Sequence, residues 1–324
     1  MSRVHALSLA LATLLSFFLT AAHSQGFPAK PIRLIIPNIP GSAYDLAGRV
    51  ISGKMAQVLG QPLVCENRPG ANGVPAADFV AKSVPDGYTL LWGSPSQNIM
   101  AQLVSKNVPY DGMRDFTPIS IGASAVQVLV IRPSLPIHSM HELVDYAKRN
   151  PGKLSYGSAG IGSTYHLAGE ALKQAAGIDM VHIPYKGAIQ ALQDLYAGQI
   201  DVSMLTLGTA APLHAAGKIR MLALLQSKRY RGAPDLPTVG ESVPGYELPG
   251  SWYALIGPAG MAQPLVQRLY QAQLAALSTQ EVQAWLTKNL HDAGGNTPEE
   301  FAAEYRRSFD VYARAIKLAG VRPE

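Results

Sequence analysis

Three turns rich in glycine and hydroxyl groups carry the residues best suited to chemistry. Pro37-Asn38-Ile39-Pro40-Gly41-Ser42-Ala43-Tyr44-Asp45 leads from an apolar run into the first helical pattern, and Ser94-Pro95-Ser96-Gln97-Asn98 follows a second apolar run. Gly157-Ser158-Ala159-Gly160-Ile161-Gly162-Ser163-Thr164 leads into the helical pattern that bears His166. A helix start leaves backbone N–H groups unpaired at the positive end of the helix dipole, which together make an anion site. Glycine lets the backbone approach closely, and Ser and Thr add donors. One dipole is worth only about 0.3–1 kcal/mol, whereas micromolar binding needs roughly −8 kcal/mol. Several turns would therefore have to converge on one ligand. The same turns also serve as plain helix caps, and spacing alone does not separate the two roles.

Motifs for catalysis are missing. His141-Glu142-Leu143-Val144-Asp145 falls short of the metalloprotease HExxH and reads as a surface helix. Gly240-Glu241-Ser242-Val243-Pro244 lacks the final glycine of a nucleophile elbow, and Pro244 disrupts the strand–turn–helix that motif needs. The glycines at 157, 160 and 162 are spaced GxxGxG rather than the dinucleotide GxGxxG, and no acidic residue is clearly placed for a ribose. The eight histidines are dispersed and form no metal-ligand pattern. The reading is a protein that is not an enzyme, with no cofactor and no metal.

Alternating strand and helix patterns position these turns. Short apolar runs at 31–37, 63–65, 88–92, 126–131, 153–156, 180–184, 200–205, 219–225 and 252–256 read as strands. Helical patterns occupy 46–59 (capped by Asp45), 75–84, 137–149, 164–176 and 188–197, and the tail from 263 to 319 reads as helices only. This alternation predicts parallel sheets covered by helices on both faces. Segments 120–132 and 245–258 have strand character without an intervening helix, which marks them as crossovers between two α/β lobes. The division expected is 25–123 plus 253–324 for a discontinuous first lobe and 124–252 for the second.

Composition bounds the class further. The 324 residues are 48% hydrophobic and 15% charged, enough for a sizeable core and too apolar for a disordered chain. The single cysteine, Cys65, excludes a disulfide framework and suits an oxidising compartment. The net charge of +5 comes without any run of Lys or Arg, which argues against nucleic acid and is compatible with attraction of small anions. Residues 1–24 have the form of a cleavable signal peptide: Arg3, an apolar stretch over 6–19, and Ala22-His23-Ser24 before Gln25. Ser8, Thr13, Ser16 and Thr20 interrupt that stretch, which disfavours the alternative of an uncleaved anchor.

The chain resembles the substrate-binding proteins of tripartite tricarboxylate transporters, the Bug family of extracytoplasmic receptors. The likeness rests on Pro37-x-x-Pro40-Gly41-x-x-x-Asp45, on Glu66-Asn67-Arg68-Pro69-Gly70-Ala71-Asn72-Gly73, and on Pro85-Asp86-Gly87-Tyr88-Thr89-Leu90. It continues through Tyr156-Gly157-Ser158-Ala159-Gly160, His166-Leu167-Ala168-Gly169-Glu170, His182-Ile183-Pro184-Tyr185-Lys186-Gly187, Gly198-Gln199-Ile200-Asp201 and Pro234-Asp235-Leu236-Pro237. It implies a periplasmic binding protein fold of type II-like form, with two doubly wound α/β lobes joined by crossover strands around a ligand cleft. It also implies capture of an organic carboxylate and delivery to the membrane subunits of a tripartite transporter by a periplasmic monomer.

Carried over residue by residue, Gly41, Ser42, Tyr44 and Asp45 belong to the first binding loop. Ser158, Gly160, Ser163 and Thr164 belong to the loop of the opposite lobe. Ser94 and Asn98 form a third group, and Asp201 is expected at a strand end facing the cleft. Asp45 serves equally well as a helix cap, and Lys186 either balances an acidic ligand group or is structural, as is His166. The chain departs from the family where Ser42 replaces a glycine, Tyr44 a threonine and Gly48 an alanine. A tyrosine beside the cleft suggests a bulky or aromatic carboxylate.

Overall fold

Strand β1 (Ile32–Ile36) buries Ile32, Leu34, Ile35 and Ile36 on both faces, which is the reason its sequence is apolar but for the part-exposed Arg33. It belongs to a computed structural model that describes residues 26–318 except 186 and 249, together with residue 320. The signal-peptide reading of residues 1–24 and the role of Lys186 therefore lie outside the described residues.

The chain continues through α1 (Ala43–Leu59), β2 (Leu63–Asn67), α2 (Val74–Ala81), β3 (Thr89–Gly93), and a π-type turn at Ser96–Met100 that runs into α3 (Ala101–Val104). Strand β4 (Phe116–Ala125) leads almost directly into β5 (Gln127–Ile131). Then follow α4 (Met140–Arg149), β6 (Ser155–Ser158), α5 (Thr164–Ala176), β7 (Val181–Pro184), α6 (Ala188–Tyr196), β8 (Val202–Thr206), α7 (Leu207–Ala215), β9 (Arg220–Leu224) and the short α8 (Val239–Ser242). The chain closes with β10 (Ser251–Pro258), α9 (Gln263–Leu277), α10 (Gln280–Lys288), β11 (His291–Ala293) and α11 (Pro298–Leu318).

Two sheets result. One has the order β11-β4-β10-β3-β1-β2 and the other β7-β6-β8-β5-β9. The expectation of parallel sheets needs correcting, because both are mixed. Strand β10 is antiparallel to β3 and β4, and β5 is antiparallel to β8 and β9. The reason is the crossover itself: β4 and β5 are joined through Val126 alone, and no helix intervenes to reset direction. The chain returns to the first sheet along 225–250 into β10. The tail is not all helix either, since β11 adds an edge strand antiparallel to β4.

In the first sheet α1 packs with α9 over one face, burying Ile51, Met55, Leu269 and Trp92. In the second, Val128, Val130, Ala191, Leu195 and Leu224 form one apolar cluster. Helix α11 packs against both β4 and α5, and so touches elements of both sheets. Its Tyr305 hydroxyl donates to the carbonyls of Gly112 at 2.8 Å and Asn98 at 3.1 Å, while Phe301 and Tyr305 pack against Trp252.

Candidate binding cleft

Helix α1 begins earlier than the apolar pattern suggests, and Ser42 rather than Asp45 is its N-cap: the Ser42 Oγ accepts the Asp45 N–H at 3.2 Å. Asp45 instead turns back beneath the first turn. Its carboxylate accepts the Gly41 N–H at 2.8 Å, the Asn67 amide at 2.7 Å and the Arg49 guanidinium at 3.0 Å. Burial alone would raise this carboxyl's pKa, but the hydrogen bonds from Arg49, Asn67 and Gly41 outweigh it and hold the group below the ordinary carboxylate value. Gly41 has φ +78°, a conformation that suits glycine.

Helix α5 repeats this construction in the other sheet. Ser163 is the N-cap and accepts the His166 N–H at 3.2 Å, while the Gly162 N–H donates to His166 Nδ1 at 3.1 Å. Gly162 has φ +74°, close to Gly41, and the two serines share backbone angles of −66°, 156° and −70°, 157°. Each cradle is thus a left-handed glycine, a serine cap and an acceptor side chain three residues on.

Between the two cradles lies a cleft of about 790 Å³. Ser42 and Tyr44 line it from one side, Ser163 and Thr164 from the other, and Ser94 and Gln97 from the turn after β3. The N-terminal turns of α1, α2, α5, α6 and α7 all reach this space, through Ser42, Gly73, Ser163, Gly187 and Thr206. Among the described lining residues there is no Asp, Glu, Lys, Arg or His. Such a space offers backbone N–H groups, hydroxyls and positive dipole ends to an anion, without a formal countercharge.

The remaining expected residues fall outside the lining. Gly41 and Asp45 hold the first cradle from below, and Ser158 and Gly160 hold the second. The Ser158 Oγ accepts the Gly160 N–H at 3.1 Å and meets His182 Nε2 at 2.7 Å. Asn98 is fully buried and off the lining, whereas Gln97 of the same π-type turn borders the cleft. Asp201 is the clearest correction. It precedes β8, at the end of the strand away from the cleft, where it pairs with Arg132 at 2.8 Å and accepts the Ser155 N–H at 2.9 Å. The expectation took the wrong end of the strand.

Tyr44 lines the cleft, but its hydroxyl is not free. That hydroxyl donates to the Trp92 carbonyl and accepts from Gln97 Nε2, and burial pushes its pKa far up. Its ring meets Tyr253 edge-on at 4.6 Å, and Tyr253 and Tyr165 extend the aromatic wall. Sequence reasoning missed Tyr253, Tyr165, Gln127, Thr206, Thr209 and Gly187. Gly187 and the Gly70–Gly73 turn did carry a recognisable signal, each as part of a family motif.

Residues 47–301 match the tripartite tricarboxylate transporter family receptor, TctC. The chain belongs to this family. The receptor is 36% identical over 310 residues to a UPF0065 protein of Bordetella pertussis, covering 94% of each chain. Rpa4515 of R. palustris, solved with adipate, is 33% identical, with a TM-score of 0.80 over 92% of the receptor and 100% of that structure. MatC from Rhodopseudomonas palustris, solved with bound malate, is 28% identical, with a TM-score of 0.74 over 90% and 100%. The two-sheet α/β fold of the receptor is the periplasmic binding protein fold.

Proposed function

We propose that this receptor captures an organic carboxylate between two lobes built on the two sheets, and presents it to the membrane subunits of a tripartite tricarboxylate-type transporter. The observation that carries this reading is the convergence of five helix N-termini on a cleft with no charged side chain among its described lining. Neutral donors from both sides can share a carboxylate, and ligand contact with both lobes would favour their closure by its differential affinity for the closed state. The adipate and malate of the two structural neighbours support the ligand class. The aromatic wall of Tyr44, Tyr165 and Tyr253 supports a bulky or aromatic member of it. We assign the protein to the periplasm as a monomer that performs no reaction.

A thermal-shift screen of the mature chain from Gln25 against aliphatic and aromatic mono- and dicarboxylates tests the reading. A ligand at about 100 times its Kd adds about 2.7 kcal/mol, several degrees for a chain of this size. A saturable shift confined to one carboxylate group is expected. Flat melting curves across the panel would overturn the carboxylate assignment.

A further inference from the structure

The two cradles differ in one respect, the acceptor. In the first it is the Asp45 carboxylate, held ionised by Arg49 and Asn67. In the second it is a neutral imidazole nitrogen, His166 Nδ1, which can accept the Gly162 N–H only through its lone pair.

His166 does not stand alone. Its ring stacks on His182 with centroids 4.0 Å apart and an interplanar angle of 18°, and His182 stacks in turn on Tyr156 at 4.8 Å. His182 Nε2 meets the Ser158 Oγ, which holds the Gly160 N–H. The two rings therefore fasten both ends of the 157–164 turn, one through Ser158 and Gly160, the other through Gly162.

We propose that His166 and His182 are positioning residues that keep this turn in its binding shape, His166 only while its ring is neutral, so that ligand capture by the second lobe is sensitive to protons. A proton on His166 Nδ1 turns the acceptor into a donor facing another donor, and the Gly162 N–H loses its partner. A second proton on the stack is opposed by the first. The charged and titratable groups around the pair are Glu170 and Lys173 on α5, which pair at 3.1 Å, and Tyr156 on β6, whose hydroxyl donates to Glu170 at 2.7 Å. Helix α11 packs on α5, and Arg314 and Glu247 border a hollow there together with Ala171, Gln174 and Ala175. Burial holds both imidazoles below their ordinary value, so the rings are neutral near neutrality and take up protons only at more acid pH than a free imidazole. The ligand part of the proposal rests on the carboxylate reading above. A bare positive charge at His166 would act in the opposite sense and attract an anion, so the direction of the pH effect is decisive.

The test uses the mature chain, adipate as probe, and the variants His166→Asn, which keeps a neutral acceptor, and His166→Leu, which removes it. Adipate affinity is measured at about pH 7.5 and about pH 4.5; protonation of adipate affects all proteins alike, so ratios between proteins are read. His166→Asn is expected to match wild type at the higher pH and to bind about tenfold tighter than wild type at the lower. His166→Leu, checked for folding by circular dichroism, is expected to bind about tenfold more weakly at both. In the ligand-free protein the Gly162 amide resonance should follow the imidazole nitrogen shifts of His166 in wild type and stay level in His166→Asn. The proposal is overturned if the Gly162 amide ignores the His166 titration, if wild type gains affinity relative to His166→Asn in acid, or if His166→Leu binds like wild type. Absence of adipate binding with an intact Gly162 titration would count against adipate as ligand and leave the brace standing.

Discussion

Asp45 and His166 hold equivalent places in opposite walls of the cleft: each lies three residues beyond a serine N-cap and accepts the N–H of the glycine before that serine, at 2.8 and 3.1 Å. Removing the first acceptor takes a partner from Gly41, Asn67 and Arg49, although Asn67 keeps the Asn38 carbonyl and Arg49 is partly exposed. A hydrogen bond to a charged group is worth about 1.5–3 kcal/mol. Asp45→Ala should therefore lower the unfolding free energy by about 2 kcal/mol or more and weaken carboxylate binding, with Asp45→Asn intermediate in both. Because the Asp45 pKa is depressed in the fold, its contribution is fully present above the ordinary carboxylate value and fades as pH falls through the lowered one. Urea titrations at neutral and acid pH check both points, and an Asp45→Ala protein as stable as wild type would sink the assignment.

Tyr44 and Trp92 are bound to each other in both directions, the Tyr44 hydroxyl to the Trp92 carbonyl and Trp92 Nε1 to the Tyr44 carbonyl at 3.2 Å. Gly48 belongs to the same arrangement, since a β-carbon there would stand 3.0 Å from Trp92 Cδ1. Two of the departures from the family pattern thus meet around one indole. Tyr44→Phe should lose about 1–3 kcal/mol through the abandoned carbonyl, with little change in ligand preference, because the hydroxyl is already engaged by Trp92 and Gln97. Tyr44→Thr should shift preference from aromatic toward small aliphatic carboxylates. Parallel thermal-shift panels on the two variants separate these outcomes; an unchanged ranking in Tyr44→Thr would remove Tyr44 from specificity.

Gly162 also faces Val104 of α3 across the cleft, where an added β-carbon would come within 2.7 Å of Cγ1. Gly162→Ala should weaken binding through two effects, the left-handed backbone that alanine tolerates poorly and the collision with Val104. Val104→Ala relieves only the second. A double-mutant cycle by isothermal titration should therefore show partial rescue, and strict additivity would mean that the contact has no part in closure.

Acid should destabilise the fold in a defined window. Burial depresses the pKa of His166 and His291, and burial together with the neighbouring His166 ring pushes His182 down to about 4. The unfolded chain then takes up protons that the folded one refuses, so stability is present above the ordinary histidine value of about 6.5 and is lost as pH falls toward 4. Melting temperatures recorded across this interval should decline, and His182→Gln should flatten part of the slope. A melting temperature level from pH 6.5 to 4 would contradict buried neutral rings.

Much of the fold was legible in the chain because it depends on local pattern. Continuous apolar runs such as Leu34–Ile36 mark strands covered on both faces, and the turns around Gly41–Ser42 and Gly162–Ser163 precede helices as expected, although the first helix starts at Ala43 with Ser42 as its cap rather than after Asp45. The absence of a helix between β4 and β5 was equally visible, and it marked the crossover. Strand direction was not, because direction follows from where the chain re-enters a sheet, which no window of residues contains. The short β11 reads as helix tail, since three residues carry no period and only pairing with β4 makes them a strand.

The cleft divides in the same way. Sequence determined which turns bring together glycine, hydroxyls and helix-start N–H groups, since these are properties of residue type. Tertiary structure alone decided which of them face one another. Asp201 was misplaced because sequence does not say which end of β8 opens on the cleft. Asn98 was misplaced because a π-type turn advances the side chains by a step no local pattern records. Tyr253 was missed because it meets Tyr44 only once β10 takes its place in the first sheet, and Thr206 because it joins the cleft lining only when the two sheets meet. The pairing of His166 with His182, sixteen residues apart and on different elements, is likewise a product of packing.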